Sequence, residues 1–367
     1  MANLGLNEKK MNLTKVSSVK KQTIKCNQMK EQLKVLLLFD SPYAKPRGYD
    51  FQEEFSSPDW NTEADVYKSL CANGYNVRVL GLFKDIVPLV EEIKESKPDV
   101  VFNLAEVFNQ KSSLEKNVVS VLEMLGVSHT GSSSEGLFIC NDKALTKKIL
   151  TYHRIKIPNF HTFYRGYRVW LPRRLKLPLV VKPLSEEASR GIAQASVTDN
   201  EESFLERVRF IHETMKSNAI AEEYIEGREL YVSVIGNKRV KVLPPTEIKF
   251  GTLSEDEPRI ATYKAKWDNE YRKKWGIKNV FPGRLANGVD KKIKDVCKRA
   301  YRALNMQSYA RFDVRVTPES NVYILEVNAN PCIANYEDFA MAAEKIGLTY
   351  NKLIRKLTDF ALQRQKF

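Results

Sequence analysis

The chain has 367 residues, of which 43% are hydrophobic and 28% charged, and its formal net charge is +14. This ordinary globular mixture excludes a fully disordered, collagen-like or disulfide-scaffold protein, and at about 150 residues per domain the length favours two or three domains. Five scattered cysteines without a CxxC pair, and no apolar run long enough to cross a bilayer, lead us to expect a cytoplasmic protein.

The positive charge is unevenly distributed. The first 30 residues contain seven lysines, one glutamate and no aromatic residue, so they hold +6 of the +14. High charge with little hydrophobicity is typical of disorder, and we expect residues 1–31 to form a basic disordered arm. The remaining excess of +8 is moderate. It favours an anionic ligand without predicting a nucleic-acid partner.

From Leu33 onward, apolar runs and helical patterns alternate. Strands are predicted over 33–40, 76–82 and 98–104, and helices over 63–71, 87–94 and 114–125. Strand–helix–strand alternation at this spacing indicates a parallel αβ domain, to which we assign residues 32–135.

The second half of the chain has a different pattern. Helices are predicted over 142–152 and 203–215, and strands over 177–183 and 219–225, followed by a strand-rich stretch to residue 249. The segment from there to residue 278 reads as irregular and basic. A helix and a hairpin then fill 290–328, and a closing helix starts near 348. This order predicts an α+β C-terminal half.

The hairpin is the most informative segment. Charged and apolar residues alternate in its first strand, so Arg311, Asp313 and Arg315 share one face, and Glu326 and Asn328 share a face of the second strand. A symmetric four-residue loop would place Asp313 opposite Glu326 and Arg311 opposite Asn328. Such carboxylate and amide oxygens suit Mg²⁺, with phosphate oxygens completing the shell. The alternative is a cross-strand salt bridge on a solvated face.

Other residues support a phosphate ligand. Lys143 opens a helix and Lys182 ends an apolar strand, a position typical of a phosphate contact, although a lysine there can also extend to the surface. Another apolar strand ends in the acidic turn 222–229. This turn can offer backbone groups to a purine and a carboxylate to ribose hydroxyls, as can many strand-to-turn junctions.

Eight segments, in order and spacing, resemble the ATP-grasp superfamily and its D-alanine–D-alanine ligase-like branch. The segments are VFNLAE (101–106), HTGS (129–132), NDKALTK (141–147), VKP (181–183), EEYIEGRE (222–229), YKAKW (263–267), RFD (311–313) and EVNANP (326–331). The resemblance covers residues 33 to 360. It implies an α/β chain with an N-terminal pre-ATP-grasp domain (32–135), a central subdomain (136–221) and a C-terminal subdomain (222–367).

The resemblance implies that ATP and two Mg²⁺ ions are the cofactors, with Mn²⁺ as an alternative metal. The implied nucleotide-binding residues are Lys143, Lys182, Ser189, Glu222, Glu223, Tyr224, Ile225, Glu229 and Lys266. Among these, Glu223 and Ile225 would hold adenine through their backbone, and Glu229 would bind the ribose. The lysines would contact phosphates or the adenine edge. The implied catalytic residues are Arg311, Lys266 and Glu63, and the implied metal ligands are Asp313, Glu326 and Asn328.

The chain departs from the branch where the amino-acid substrates would bind. The substrate-orienting serine of the family falls on Ala188, and its partner tyrosine falls on Trp267. The glycine after the last proline is Cys332, and the serine that receives the second substrate's carboxylate falls near Glu337. Basic residues at Arg190, Lys264 and 272–274 add positive charge to loops expected around the cleft. We therefore expect a pocket that is not strictly specific for D-alanine and prefers a larger or more anionic substrate.

The resemblance implies an ADP-forming ligase that makes an amide or peptide bond through an acyl-phosphate. The alternatives are a D-alanine–D-alanine ligase proper, a small-molecule kinase on the same scaffold, and a non-catalytic ATP-binding protein. Retention of the complete metal set argues against the last of these. An amine requirement for phosphate release would separate a ligase from a kinase.

The expected partners are a small carboxylate and an amine, such as amino acids or peptides, with no membrane and with homodimerisation left open. One segment, 164–176, contains five basic residues, three aromatic residues and no acid. Such interleaving can bind single-stranded nucleic acid, but a solvated connection between subdomains is the favoured interpretation, and no nucleic acid is expected.

Overall fold

The computed structural model describes residues 32–185, 191–251 and 259–364, so the predicted N-terminal arm lies outside the described residues. The first elements alternate between strands and helices. They are β1 (Lys34–Asp40), α1 (Asn61–Ala72), β2 (Asn76–Leu82), α2 (Val87–Ser96), β3 (Val100–Asn103) and α3 (Glu115–Met124). The strands form a sheet in the order β2-β1-β3, and both pairings are parallel. The predicted parallel αβ arrangement is confirmed.

A small antiparallel sheet follows, with the order β4-β7-β5-β6. The elements of this region are α4 (Ser134–Asn141), α5 (Lys143–Tyr152), β4 (Phe160–Phe163), β5 (Leu179–Pro183), β6 (Val197–Thr198), α6 (Glu201–Glu213) and β7 (Ala219–Glu223). The basic and aromatic segment 164–176 connects β4 to β5, and Tyr167 within it is 77% exposed. It is a solvated connection, as expected, but it joins two strands of one sheet.

The last part of the described chain is built on a larger sheet. Its elements are β8 (Arg228–Ile235), β9 (Lys241–Val242), β10 (Thr246–Lys249), α7 (Tyr263–Trp267), α8 (Asn269–Lys274), β11 (Lys278–Val280), α9 (Val289–Ala303), β12 (Tyr309–Val316), β13 (Val322–Asn328), α10 (Asp338–Glu344) and α11 (Tyr350–Arg364). The strand order is β11-β10-β8-β12-β13, with β9 paired to β8.

The expectation of an irregular segment before residue 278 is wrong in part, because two short helices lie there. Thr262 caps α7 by accepting a hydrogen bond from the Ala265 N–H at 3.1 Å, and Asp268 caps α8 through the Tyr271 N–H at 2.9 Å. Helices of this length have too few turns for an apolar periodicity, so only their capping residues mark them in the sequence.

The apolar face of the larger sheet packs on α9. Phe312, Val314 and Ile324 are almost completely buried there, so the alternate residues of β12 point to the other side of the sheet. The turn between β7 and β8 requires a glycine, because Gly227 has φ +143° and a Cβ atom there would lie 2.2 Å from the Val316 carbonyl oxygen. None of the helices in the described residues is long and apolar enough to span a bilayer.

Candidate active site

The hairpin of β12 and β13 has the predicted pairing at its open end. Arg311 is the partner of Asn328, and Asp313 is the partner of Glu326. The face they share is not fully solvated, because Asp313 is only 3% exposed and Arg311, Glu326 and Asn328 are partly buried. The expected register is therefore confirmed, whereas the alternative of a salt bridge on a solvated face is not.

The register near the turn differs from the prediction by one residue. Val316 pairs with Val322 and Val314 with Ile324, so Leu325 is an extra residue opposite the step from Asp313 to Val314. This β-bulge leaves Leu325 out of the strand pairing, and its carbonyl oxygen accepts a hydrogen bond from the Lys147 ammonium at 2.8 Å. The turn is thus one residue longer than a symmetric loop, and the bulge restores the pairing of the polar residues.

Two cations surround Asp313. The Arg311 guanidinium donates hydrogen bonds to both carboxylate oxygens, from Nε at 2.8 Å and from Nη2 at 3.2 Å, and the Lys266 Nζ lies 3.8 Å from Oδ2. Burial would lower the pKa of Arg311, but Asp313 raises it further above its ordinary value. The guanidinium also lies 4.9 Å from the centre of the Tyr231 ring. Arg311 is thus held as a fixed positive charge.

Glu326 is paired with a different cation. The Lys143 Nζ lies 3.3 Å from its Oε1, and Lys143 is positioned by Asp142, whose Oδ1 accepts hydrogen bonds from two N–H groups in the first turn of α5. Burial alone would raise the pKa of Glu326, but Lys143, Lys182 and Lys266 lower it well below its ordinary range. The carboxylate is therefore ionised at neutral pH.

Asp313, Glu326 and Asn328 have the chemistry of a Mg²⁺ site. The described residues contain no group of three or more His, Cys, Asp or Glu side chains suited to a metal ion, and this set offers two carboxylates and one amide. Mg²⁺ is commonly held by one or two protein carboxylates, with phosphate oxygens and waters in the other positions. The carboxylate and amide oxygens of this set fit that mode of binding, because Asp313 is buried while Glu326 and Asn328 are partly exposed and line the larger cavity.

A small cavity of about 70 Å³ gathers the predicted purine and ribose residues. Its lining includes Lys182, Glu222, Glu223, Tyr224, Ile225 and Glu229. Glu222 is 3% exposed, and its two carboxylate oxygens lie 3.1 Å from the Lys182 Nζ and 3.2 Å from the Lys147 Nζ. Sequence reasoning missed Lys147, although its spacing of four residues from Lys143 places both on one helix face.

The backbone near the small cavity is partly engaged. The Glu223 N–H donates to the Asn159 carbonyl at 2.9 Å, and the Ile225 carbonyl accepts from the Arg315 Nη1 at 2.9 Å. This leaves the Glu223 carbonyl and the Ile225 N–H as the candidate groups for an adenine edge. The Glu223 carboxylate is engaged within the protein, because it accepts hydrogen bonds from the Asn159 amide and the Lys176 N–H.

Arg315 is a second residue that sequence reasoning left without a role. It is 3% exposed and forms an ion pair with Glu229, which is 7% exposed. Burial would lower the pKa of Arg315, but Glu229 and Tyr224 raise it above its ordinary value. The alternation of β12 already places Arg315 on the face of Asp313, and only its long-range partner could not be predicted. Arg315 holds Glu229 at the wall of the small cavity.

A larger cavity of about 590 Å³ adjoins the small one. It is lined by Lys143, Lys266, Arg311, Glu326 and Asn328, among others. Lys266 and Glu326 line both cavities. The predicted metal ligands, the predicted phosphate-binding lysines and Arg311 therefore line these two adjoining cavities, and Lys266 and Glu326 lie where the cavities join.

Some predicted residues are not part of this cluster. Glu63 lies in the first turn of α1 and is not among the described residues that line either cavity; burial, with a smaller effect from Asp40, raises its pKa. Ala188, Ser189 and Arg190 lie outside the described residues, as does the side chain of Trp267.

Only part of the expected extra positive charge lines the larger cavity in the described residues. Of the basic residues 272–274, only Arg272 lines this cavity, and Lys264 is exposed. Cys332 and Glu337 do line it. Burial raises the pKa of Glu337, with a further contribution from Asp338, and it raises the pKa of Cys332 to about 11.

Comparison with known families agrees with this geometry. Residues 151–359 match the model of the D-ala D-ala ligase C-terminus. An uncharacterized protein of Sinorhizobium fredii, y4sG, is 31% identical over 265 residues, which are 72% of this chain and 75% of that protein. The D-alanine–D-alanine ligase of Carboxydothermus hydrogenoformans is 27% identical over 310 residues, or 82% of this chain and 93% of that one.

Solved structures share the fold. The D-alanine–D-alanine ligase of Bacillus anthracis complexed with ATP has a TM-score of 0.69 at 21% identity, and the alignment covers 91% of this chain and 99% of that one. The Coxiella burnetii D-alanine–D-alanine ligase has a TM-score of 0.64 at 19% identity, covering 92% and 95%. At these identities the likeness establishes the architecture.

Proposed function

The chain belongs to the family defined by the D-alanine–D-alanine ligase C-terminal domain, within the ATP-grasp superfamily, and from this premise we propose how its residues carry out ligation. As an ATP-dependent, ADP-forming ligase, it joins the carboxyl group of one small molecule to the amino group of another. One observation carries the roles that we assign to the residues: Lys266 and Glu326 line both cavities. ATP in the small cavity would direct its terminal phosphates toward the larger one.

Nucleotide binding is assigned to the small cavity. The Ile225 N–H and the Glu223 carbonyl are suited to the donor and acceptor edge of adenine, and Glu229 to the ribose hydroxyls. Lys182, Lys143 and Lys266 supply positive charge along the phosphates. When bound, Mg²⁺ held by Asp313, Glu326 and Asn328 would neutralise phosphate oxygens and help to orient them.

The chemistry then needs charge stabilisation at the γ-phosphate. A substrate carboxylate attacks the γ-phosphorus and ADP leaves, which gives an acyl-phosphate. The amine attacks the acyl carbon, phosphate leaves with the bonding electrons, and the nitrogen loses a proton, which the departing phosphate can accept. Arg311, fixed by Asp313, would stabilise negative charge on the acyl-phosphate and on the tetrahedral intermediate.

The substrates are proposed to be small carboxylates and amines such as amino acids or peptides, without strict specificity for D-alanine. Three of the proteins named above, from Carboxydothermus hydrogenoformans, Bacillus anthracis and Coxiella burnetii, are D-alanine–D-alanine ligases. In this chain the half-buried carboxylate of Glu337 lines the larger cavity. It would disfavour a substrate carboxylate placed beside it.

The test is ADP formation by the purified protein with ATP, Mg²⁺ and a panel of D- and L-amino acids and dipeptides, with products identified by mass spectrometry. Hydroxylamine added in place of an amine traps an acyl-phosphate as a hydroxamate. Hydroxamate formation that depends on the carboxylate supports the proposal. Phosphorylated product that accumulates without an amine requirement would instead indicate a kinase.

A further inference from the structure

Lys147 is part of a buried cluster that also contains Glu222 and Lys182. The exposed fractions of the three residues are 2%, 3% and 6%, respectively. Each carboxylate oxygen of Glu222 faces one ammonium group, at 3.2 Å for Lys147 and 3.1 Å for Lys182. Because a buried charge without a partner is strongly destabilising, Glu222 needs at least one of the lysines. The second lysine therefore calls for an explanation beyond charge neutralisation.

The other bond of Lys147 supplies that explanation. Its Nζ donates to the Leu325 carbonyl at 2.8 Å, and Leu325 is the bulged residue directly before Glu326. One ammonium on α5 therefore joins Glu222 on β7 to the bulge in β13. These strands belong to different sheets, and no strand pairing sets the distance between them.

We propose that Lys147 is a positioning residue that holds Glu222 in the nucleotide pocket and the Leu325 bulge beside Glu326 at one fixed spacing. The inference rests on the proposed nucleotide site. With Lys147 in place, Glu222 is shared between two ammonium groups, and Lys182 stays available to a phosphate. Without it, Lys182 becomes the sole partner of Glu222, and the carbonyl of the bulge loses its donor.

The test compares Lys147→Met with Lys148→Met. Methionine keeps the length of the side chain and removes the charge, and Lys148 is the exposed next residue of the same helix. Calorimetric titration with a non-hydrolysable ATP analogue and Mg²⁺ should show about tenfold weaker affinity for Lys147→Met, with unchanged stoichiometry. Lys148→Met should bind within about twofold of the wild type. Equal affinities in the two variants would overturn the proposal.

A pH profile separates positioning from a purely structural role. The groups that face Lys147 are Glu222, Lys182 and Glu326, and burial, partly offset by Glu222, lowers the pKa of Lys147 to about 8. Wild-type affinity should fall as the pH rises through about 8, because the ammonium is lost. The same measurement on Lys147→Met is the control for protonation of the nucleotide itself. The affinity of this variant should not show the fall near pH 8. Two coincident profiles would argue against positioning by the charge.

The partner residue provides a further check. Glu222→Gln should weaken binding in the wild type by about tenfold and by clearly less in the Lys147→Met background, because the two residues act through one contact. Fully additive losses would contradict the proposal. If Lys147→Met does not fold, Lys147→Gln, whose amide keeps a donor, takes its place in the same comparison. Failure of the wild type to bind the nucleotide would instead refute the proposed nucleotide site.

Discussion

Asp313 and Glu326 face each other across β12 and β13, and each carboxylate meets a different cation. Arg311 binds Asp313 in a bidentate manner, whereas Lys143 reaches Glu326 from α5. The pair is therefore balanced by groups that also face the larger cavity. In the proposed function, a bound polyphosphate would take over the contact of Lys143, which would free Glu326 to hold Mg²⁺.

The first prediction concerns these carboxylates. Asp313→Asn and Glu326→Gln should each reduce ATP turnover by about a hundredfold or more, because an amide supplies no negative charge to a metal. ADP formation during a Mg²⁺ titration measures the effect, and circular dichroism monitors the fold. Glu319→Gln, in the exposed turn of the same hairpin, is the matched control and should keep full turnover. Near-normal turnover in Asp313→Asn or in Glu326→Gln would contradict the assignment of these carboxylates as metal ligands.

The second prediction concerns the phosphates. Lys182→Ala should weaken binding of a non-hydrolysable ATP analogue by about tenfold, since one charge-assisted hydrogen bond is lost. Lys176→Ala, at an exposed position, should leave the affinity unchanged. Calorimetry on both variants measures the difference. The same affinity in both would mean that the nucleotide does not reach β5.

The third prediction concerns stability without nucleotide. Glu229→Gln should lower the free energy of unfolding by ~3 kcal/mol, because it leaves the Arg315 charge buried without its partner. The double variant with Arg315→Met should be more stable than Glu229→Gln alone, since it removes the unpaired charge. Urea denaturation measures both. A double variant that loses the sum of the single losses would contradict this account of the pair.

The fourth prediction concerns the substrate. With millimolar D-alanine, ATP and Mg²⁺, the wild type should form very little dipeptide, and Glu337→Ser should increase the rate by about tenfold, because it removes a carboxylate from the larger cavity. Dipeptide is quantified by mass spectrometry. Rapid wild-type synthesis would show that D-alanine is an ordinary substrate despite Glu337.

Local sequence patterns were sufficient to predict most of the helices and strands and one face of the hairpin. Alternation along β12 identified the shared face of Arg311, Asp313 and Arg315, because side chains of a strand alternate regardless of its surroundings. Buried strands and amphipathic helices were recognisable because their apolar runs and periodicities are also local properties of the sequence. The short helices α7 and α8 were not, since they contain too few residues to establish a period.

Only the tertiary structure decided which charges meet. Residue 147 is separated from residue 222 and from residue 325 by long stretches of chain, so no sequence spacing brings Lys147 to Glu222 and to the Leu325 carbonyl. The bulge could not be predicted either. Its extra residue is compensated by a longer turn, so the pairing of Arg311 with Asn328 and of Asp313 with Glu326 is unchanged. Alternation determines the face of a strand on which a side chain lies. The packing of α5 against two sheets determines which partner it finds there, and that packing depends on contacts between residues far apart in sequence.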